Sequence, residues 1–146
     1  MNPEAPSTIL IAEDDATDAF LLRRALAKTN LHYQLRFVAD GENVLNYLEG
    51  TAPYQDRQTF PFPGLLLLDL RMPVLDGFGV LRRLGNAPRF GHLPVVVFSG
   101  SASEEDRMLA GSLGAKAFYV KSGDPRDVVS MFKELGRQWL EVNARP

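Results

Sequence analysis

Gly64-Leu65-Leu66-Leu67-Leu68-Asp69-Leu70-Arg71-Met72-Pro73 is the stretch that decides the fold. Four consecutive leucines run straight into an acid, and Pro73 ends the pattern. A continuous apolar run of this length between turn signals reads as a strand buried on both faces, as in a parallel sheet. A charge at the end of such a strand is costly unless something there uses it. In open α/β sheets, ligands bind in the crevice beyond the carboxyl ends of the strands. Asp69 is therefore the first candidate for a working residue.

Outward from this run, the chain alternates strand and helix. Thr8 to Ala12 is a short β-branched run that ends in Glu13-Asp14-Asp15, read as a buried strand with acids at its carboxyl end. Ala19, Leu22, Ala25 and Leu26 then fall at helical spacing, with Asp15 as the cap before them. Tyr33 to Ala39 alternates in character, which suits a strand near the sheet edge. Asp40-Gly41 turns the chain into a second helix marked by Val44, Leu45 and Leu48. Residues 51–63 carry Pro53, Pro61, Pro63, Tyr54, Phe60 and Phe62 and read as an ordered insertion, since those aromatics would suit a solvated linker poorly. A third helix covers Phe78 to Leu84, and a fourth strand runs from Leu93 to Phe98 before Ser99-Gly100. The fourth helix begins at Ser103 with acids in its first turn. Ala117 to Val120 is the fifth strand, delivering Lys121. The last helix starts near Pro125, with Val128, Phe132, Leu135 and Trp139 in one stripe.

Five strand–helix pairs in strict alternation imply an α/β fold: a doubly wound five-stranded parallel sheet of flavodoxin-like topology with helices on both faces. The 146 residues fit one domain, 1–146, with a core at about 8–141. There is no cysteine, which excludes disulfides and thiolate metal sites and suits a reducing cytoplasm. His32 and His92 lack ligand-like spacing. A net charge of −2 argues against a nucleic-acid-binding surface. The N-terminal residues show no signal-peptide pattern, and no apolar run approaches the ~20 residues of a membrane span.

All strand carboxyl ends of a parallel sheet share one edge. That edge should gather Glu13 and Asp14, Asp69, Ser99 and Lys121. Three carboxylates so close repel one another, and a hard divalent cation is the simplest remedy. Oxygen ligands with open water positions suit Mg2+. Ser99 and Lys121 would then hold the remaining oxygens of a phosphoryl group, with an aspartate as nucleophile.

The pattern Ile9-Leu10-Ile11-Ala12-Glu13-Asp14, Leu68-Asp69-Leu70-Arg71-Met72-Pro73 with Asp76-Gly77, Phe98-Ser99-Gly100, and Lys121 resembles the receiver domain of two-component response regulators (CheY-like). The similarity spans roughly Thr8 to Trp139. Each motif alone is weak, but all of them in order are specific. The resemblance implies Asp69 as phospho-acceptor, Glu13 and Asp14 as the acidic metal pair, and the backbone carbonyl of Arg71 as a further Mg2+ ligand. It also implies Ser99 as the switch hydroxyl, Lys121 as the phosphate-binding lysine and Phe118 in the position of the switch aromatic. A sensor histidine kinase is the implied donor. The face of the fourth helix, fifth strand and fifth helix is the implied surface for a homodimer, and a histidine phosphotransfer protein is a further implied partner. The 25 residues after Lys121 lead us to expect no DNA-binding output domain.

The insertion at 51–63 and the pair Lys121-Ser122 look like the single-domain regulators that partner bacterial phytochrome kinases. Most receivers have proline after this lysine, usually with a cis bond. Without proline a cis bond costs ~2.5–4 kcal/mol, so Ser122 should sit in a trans or locally rearranged loop. Two rival classes are a phosphorylation-independent interaction module and a metal-dependent aspartyl-phosphate phosphatase. The phosphatase would usually carry a second acid two residues after its nucleophile, where Arg71 stands. The protein is thus expected to be a phospho-acceptor rather than an enzyme.

Overall fold

Leu65–Leu68 form β3, the middle strand of the sheet, flanked by β1 (Thr8–Ala12) and β4 (Val95–Ser99). The computed structural model describes residues 7–101 and 103–140. The N-terminal residues read for a signal peptide, and the expected end of the core at residue 141, lie outside the described residues. β2 (Gln34–Val38) and β5 (Ala117–Val120) complete a five-stranded sheet in the order β2-β1-β3-β4-β5, and every pairing is parallel. This is the expected flavodoxin-like arrangement.

The leucine run is uniformly apolar because successive side chains enter different cores. Leu66 and Leu68 join Leu10, Val95 and Val97 beneath α2 (Gly41–Glu49) and α3 (Gly77–Gly85). Leu65 and Leu67 join Ile9, Ile11 and Val96 beneath α1 (Ala16–Ala27) and α5 (Pro125–Leu135). α4 (Glu104–Ser112) contributes the buried Ala110 to the first core. Residues of β2 are mostly half-buried, in keeping with its edge position and alternating sequence.

The helix ends follow local chemistry. Asp15, Asp40, Asp76, Ser103 and Asp124 cap α1 to α5 in turn, each side chain accepting a backbone N–H of its helix's first turn. Asp40-Gly41 thus leads the chain into α2, with Asp40 accepting from the Asn43 N–H at 2.8 Å. After Leu135 the chain continues as one π-helical turn, Gly136–Leu140. That wider turn shifts the apolar stripe by one position. Leu140, five residues after Leu135, is buried, while Trp139 is half-buried against the same core.

The 51–63 insertion is ordered, as its aromatics suggested. Tyr54 and Phe60 pack on Tyr47 of α2 with ring centroids 5.2 and 5.9 Å from it. Tyr47 donates its hydroxyl to the Pro61 carbonyl at 2.9 Å. Arg57 donates to the carbonyls of Tyr47, Leu48 and Phe60 at 2.8, 2.9 and 3.1 Å. The insertion therefore closes the C-terminal end of α2, adding a charged donor to the carbonyls of its last turn.

Candidate functional site

The backbone ladder carries the working residues one step beyond the strands. The amide of Asp69 donates to the Ala12 carbonyl at 3.1 Å, that of Glu13 to Val38 at 2.9 Å, and that of Lys121 to Ser99 at 2.8 Å. Residues that follow β1, β3 and β5 are thus fixed on one rim by the sheet itself. Gly77 makes this possible on the far side of Asp69, since a Cβ there would lie 2.5 Å from the Asp69 carbonyl oxygen.

Glu13, Asp14 and Asp69 come together, with one carboxylate oxygen from each within 4.8 Å of the others. Glu13 and Asp69 are buried and Asp14 is exposed, which makes a hard-oxygen donor set open on one side. That set fits a divalent cation on the chemistry of its donors alone. Lys121 lies across the cluster, its Nζ donating to Glu13 Oε1 at 2.6 Å, Asp69 Oδ2 at 2.9 Å and Asp18 Oδ2 at 2.9 Å. Burial acts against the ammonium, but its three carboxylate partners outweigh this and raise its pKa above the ordinary lysine value. Burial dominates at Glu13, pushing its carboxyl up to about 7, with Asp69 adding to the rise and Lys121 opposing it.

Ser99 ends β4 fully buried, its Oγ accepting the Ser101 amide at 3.3 Å. Arg71 divides its roles. Its amide donates to Asp69 Oδ1 at 3.2 Å, while its guanidinium pairs with Asp106 of α4 at 3.2 Å. Phe118, in the middle of β5, is half-buried against the first core with the Arg107 guanidinium 4.9 Å from its ring centre. The Lys121–Ser122 peptide is not cis. Ser122 donates its hydroxyl to Asp127 Oδ2 at 2.5 Å and accepts the Asp124 amide at 3.2 Å, so the loop runs directly into the cap of α5.

Every residue that the sequence pointed to on the strand ends therefore lies on this rim, and Asp15 serves as the helix cap. Two residues were missed. Asp18 holds Lys121, and Asp106 ties Arg71 to Ser101, whose Oγ donates to it at 2.7 Å. Both are acids in the first turn of a helix, where an acid is ordinary. Only the fold reveals their partners.

The profile of the response regulator receiver domain matches residues 9–133. The chain belongs to the response regulator receiver family. This receiver domain is 30% identical to response regulator Rcp1 of Synechocystis sp. over 141 residues, 97% of this chain and 94% of Rcp1. Among solved structures, it resembles response regulator RPA3017 in red light signaling of R. palustris, with a TM-score of 0.87 and 36% identity over 96% of each chain. It also resembles the phosphorylated cyanobacterial phytochrome response regulator RcpA, with a TM-score of 0.83, 30% identity, and 94% of this chain and 96% of RcpA covered. Rcp1 is also known in a Mn2+-bound form. Receivers bind divalent metal, and the Glu13, Asp14 and Asp69 cluster fits one. Among the described residues, no helix is long and apolar enough to cross a membrane.

Proposed function

We propose that Asp69 accepts a phosphoryl group from a sensor histidine kinase and that the receiver signals through the resulting change of surface. The observation that supports this best is the convergence of Glu13, Asp69 and Lys121 within hydrogen-bond distance at the strand ends. In the transfer, a carboxylate oxygen of Asp69 forms the new P–O bond while the donor's P–N bond breaks. Glu13, Asp14, Asp69 and the Arg71 carbonyl would hold Mg2+, which supplies charge neutralisation for the incoming phosphoryl oxygens. Lys121 and Ser99 take up the remaining oxygens. A charge of roughly −2 on the modified residue draws Ser99 toward it and biases the loops after β4 and β5, with Phe118 responding beneath them.

Arg71, two residues after the acceptor, leaves no acid in place to turn over phosphomonoesters, so the protein acts as a phospho-acceptor rather than an enzyme. The likeness to RcpA and RPA3017 supports a phytochrome-type kinase as the donor. Met108 and Leu109, exposed on α4, give the face of α4, β5 and α5 apolar contacts for a homodimer. A histidine phosphotransfer protein would meet the same rim as the kinase. The whole chain acts as a single receiver unit in the cytoplasm.

Incubation with acetyl phosphate and Mg2+ tests the reading. The wild type should gain a phosphoryl group, and Asp69→Asn should gain none. Equal labelling of the two, or none of the wild type, sinks it; in the latter case, absence of Mg2+ binding would leave a phosphorylation-independent interaction module.

A further inference from the structure

Asp18 stands at the third position of α1, three residues after its cap Asp15. An acid at that position commonly reaches back to the cap residue's own N–H. Here that N–H is already taken, because the Asp15 amide donates to Glu13 Oε2 at 3.2 Å. The Asp18 carboxylate instead turns to Lys121 Nζ, 2.9 Å away. A lysine has three N–H donors, and in Lys121 they are shared among Glu13, Asp69 and Asp18.

These three partners are not equivalent. Glu13 and Asp69 belong to the acidic cluster, and a cation or phosphoryl group entering the rim claims their oxygens. Asp18 lies outside that cluster. It is the partner Lys121 can keep while the other two change theirs. Packing supplies a weaker restraint, because a cavity of about 80 Å³ lined by Leu21, Leu22, Phe98 and Met131 adjoins Lys121 beneath the β5–α5 loop, and the Phe98 ring, 5.7 Å from Nζ, fixes no N–H direction.

We propose that Asp18 is a positioning residue that holds the Lys121 ammonium over Asp69 throughout phosphoryl transfer, an inference that rests on the acceptor reading above. One hydrogen bond from α1 then fixes the direction of the lysine. The acceptor oxygen, the incoming group and the ammonium stay aligned.

The full-length wild type is compared with Asp18→Ala and Asp18→Asn by two readouts: phosphorylation rate from acetyl phosphate at saturating Mg2+, and the 15N–1H signal of the Lys121 ζ-ammonium by NMR without donor. Asp18→Ala should slow phosphorylation about tenfold, the scale of a modest misplacement at a reacting centre, and should broaden the ammonium signal through faster exchange with water. Asp18→Asn keeps an amide oxygen able to accept from Lys121 and should retain most of the rate. Either readout unchanged in Asp18→Ala overturns the proposal, and so does an Asp18→Asn rate as low as that of the alanine variant. A wild type that takes no label would instead remove the acceptor reading, a distinct result that the ammonium signal does not depend on.

Discussion

At the scale of single residues, the loop after Asp69 holds the clearest local conflict. Val74 has φ +68°, and the Leu75 amide donates to the Pro73 carbonyl at 2.8 Å, so the three residues form a γ-turn. A β-branched residue in the left-handed region is strained, and Val74 offsets none of this by burial, since it is 79% exposed. Strain of this kind gathers near functional sites, and this turn lies in the loop that joins Asp69 to α3. Replacing Val74 with Gly, which has no Cβ to strain at positive φ, should relieve about 1 kcal/mol net of the freedom it adds to the unfolded chain and raise the melting temperature by roughly 3 °C. A lower melting temperature would show that the valine contributes packing that outweighs its backbone. The same scale explains what the sequence left unread. Asp69, Glu13 and Ser99 were legible because each breaks an apolar strand run. Asp18 and Asp106 break nothing, because each is an acid where helix starts favour acids.

At the scale of elements, the strands were legible because burial on both faces forces continuous apolar runs, and the helices because their apolar residues recur at 3.6-residue spacing. β1 and β5 have the boundaries read from the sequence. The internal construction of the 51–63 insertion was not legible. It depends on Arg57 reaching back to carbonyls nine and ten residues earlier, a contact with no periodic signal. That contact couples the insertion to the end of α2. Gly50 caps α2 with φ +72°, and a Cβ there would lie 2.9 Å from the Arg57 guanidinium. Arg57→Ala should cost about 2–3 kcal/mol, since it leaves helix-terminal carbonyls without a charged donor. Gly50→Ala should also destabilise, through backbone strain and displacement of Arg57. In the double variant the lost Arg57 bonds and the strain remain but there is no Arg57 left to displace, so the two single costs should sum to more than the double variant loses. Simple additivity in urea denaturation would mean that Gly50 and Arg57 act independently.

At the scale of the whole molecule, the acidic rim sets how stability answers to pH. Burial raises the Glu13 carboxyl from 4.5 to about 7. Between those values the folded, metal-free protein holds a proton that the unfolded chain has released, so stability falls as pH rises through that window. The loss is at most about 3–4 kcal/mol, because each pH unit between the two values is worth about 1.4 kcal/mol. Lys121 adds nothing within this window, because its raised pKa keeps it charged throughout and its contribution is lost only at more alkaline pH. A divalent cation demands the ionised carboxylate, so binding of the proposed Mg2+ should compete with the proton and strengthen as pH rises through about 7. Bound metal stabilises the folded state by an amount that grows with the logarithm of one plus the ratio of free metal to its dissociation constant. The two effects have opposite signs. Without Mg2+ the melting temperature should fall between about pH 5 and 7, whereas at a fixed Mg2+ concentration near its dissociation constant the stabilisation by metal should grow from pH 6 to 8. Glu13→Gln imitates the protonated side chain, so it should remove the metal-free decline and flatten the pH dependence of Mg2+ affinity. Calorimetric titration of wild type and Glu13→Gln at pH 6, 7 and 8 separates the cases. A wild-type affinity that is constant over this range would mean that Glu13 is already ionised in the metal-free fold, held so by Lys121 against its burial.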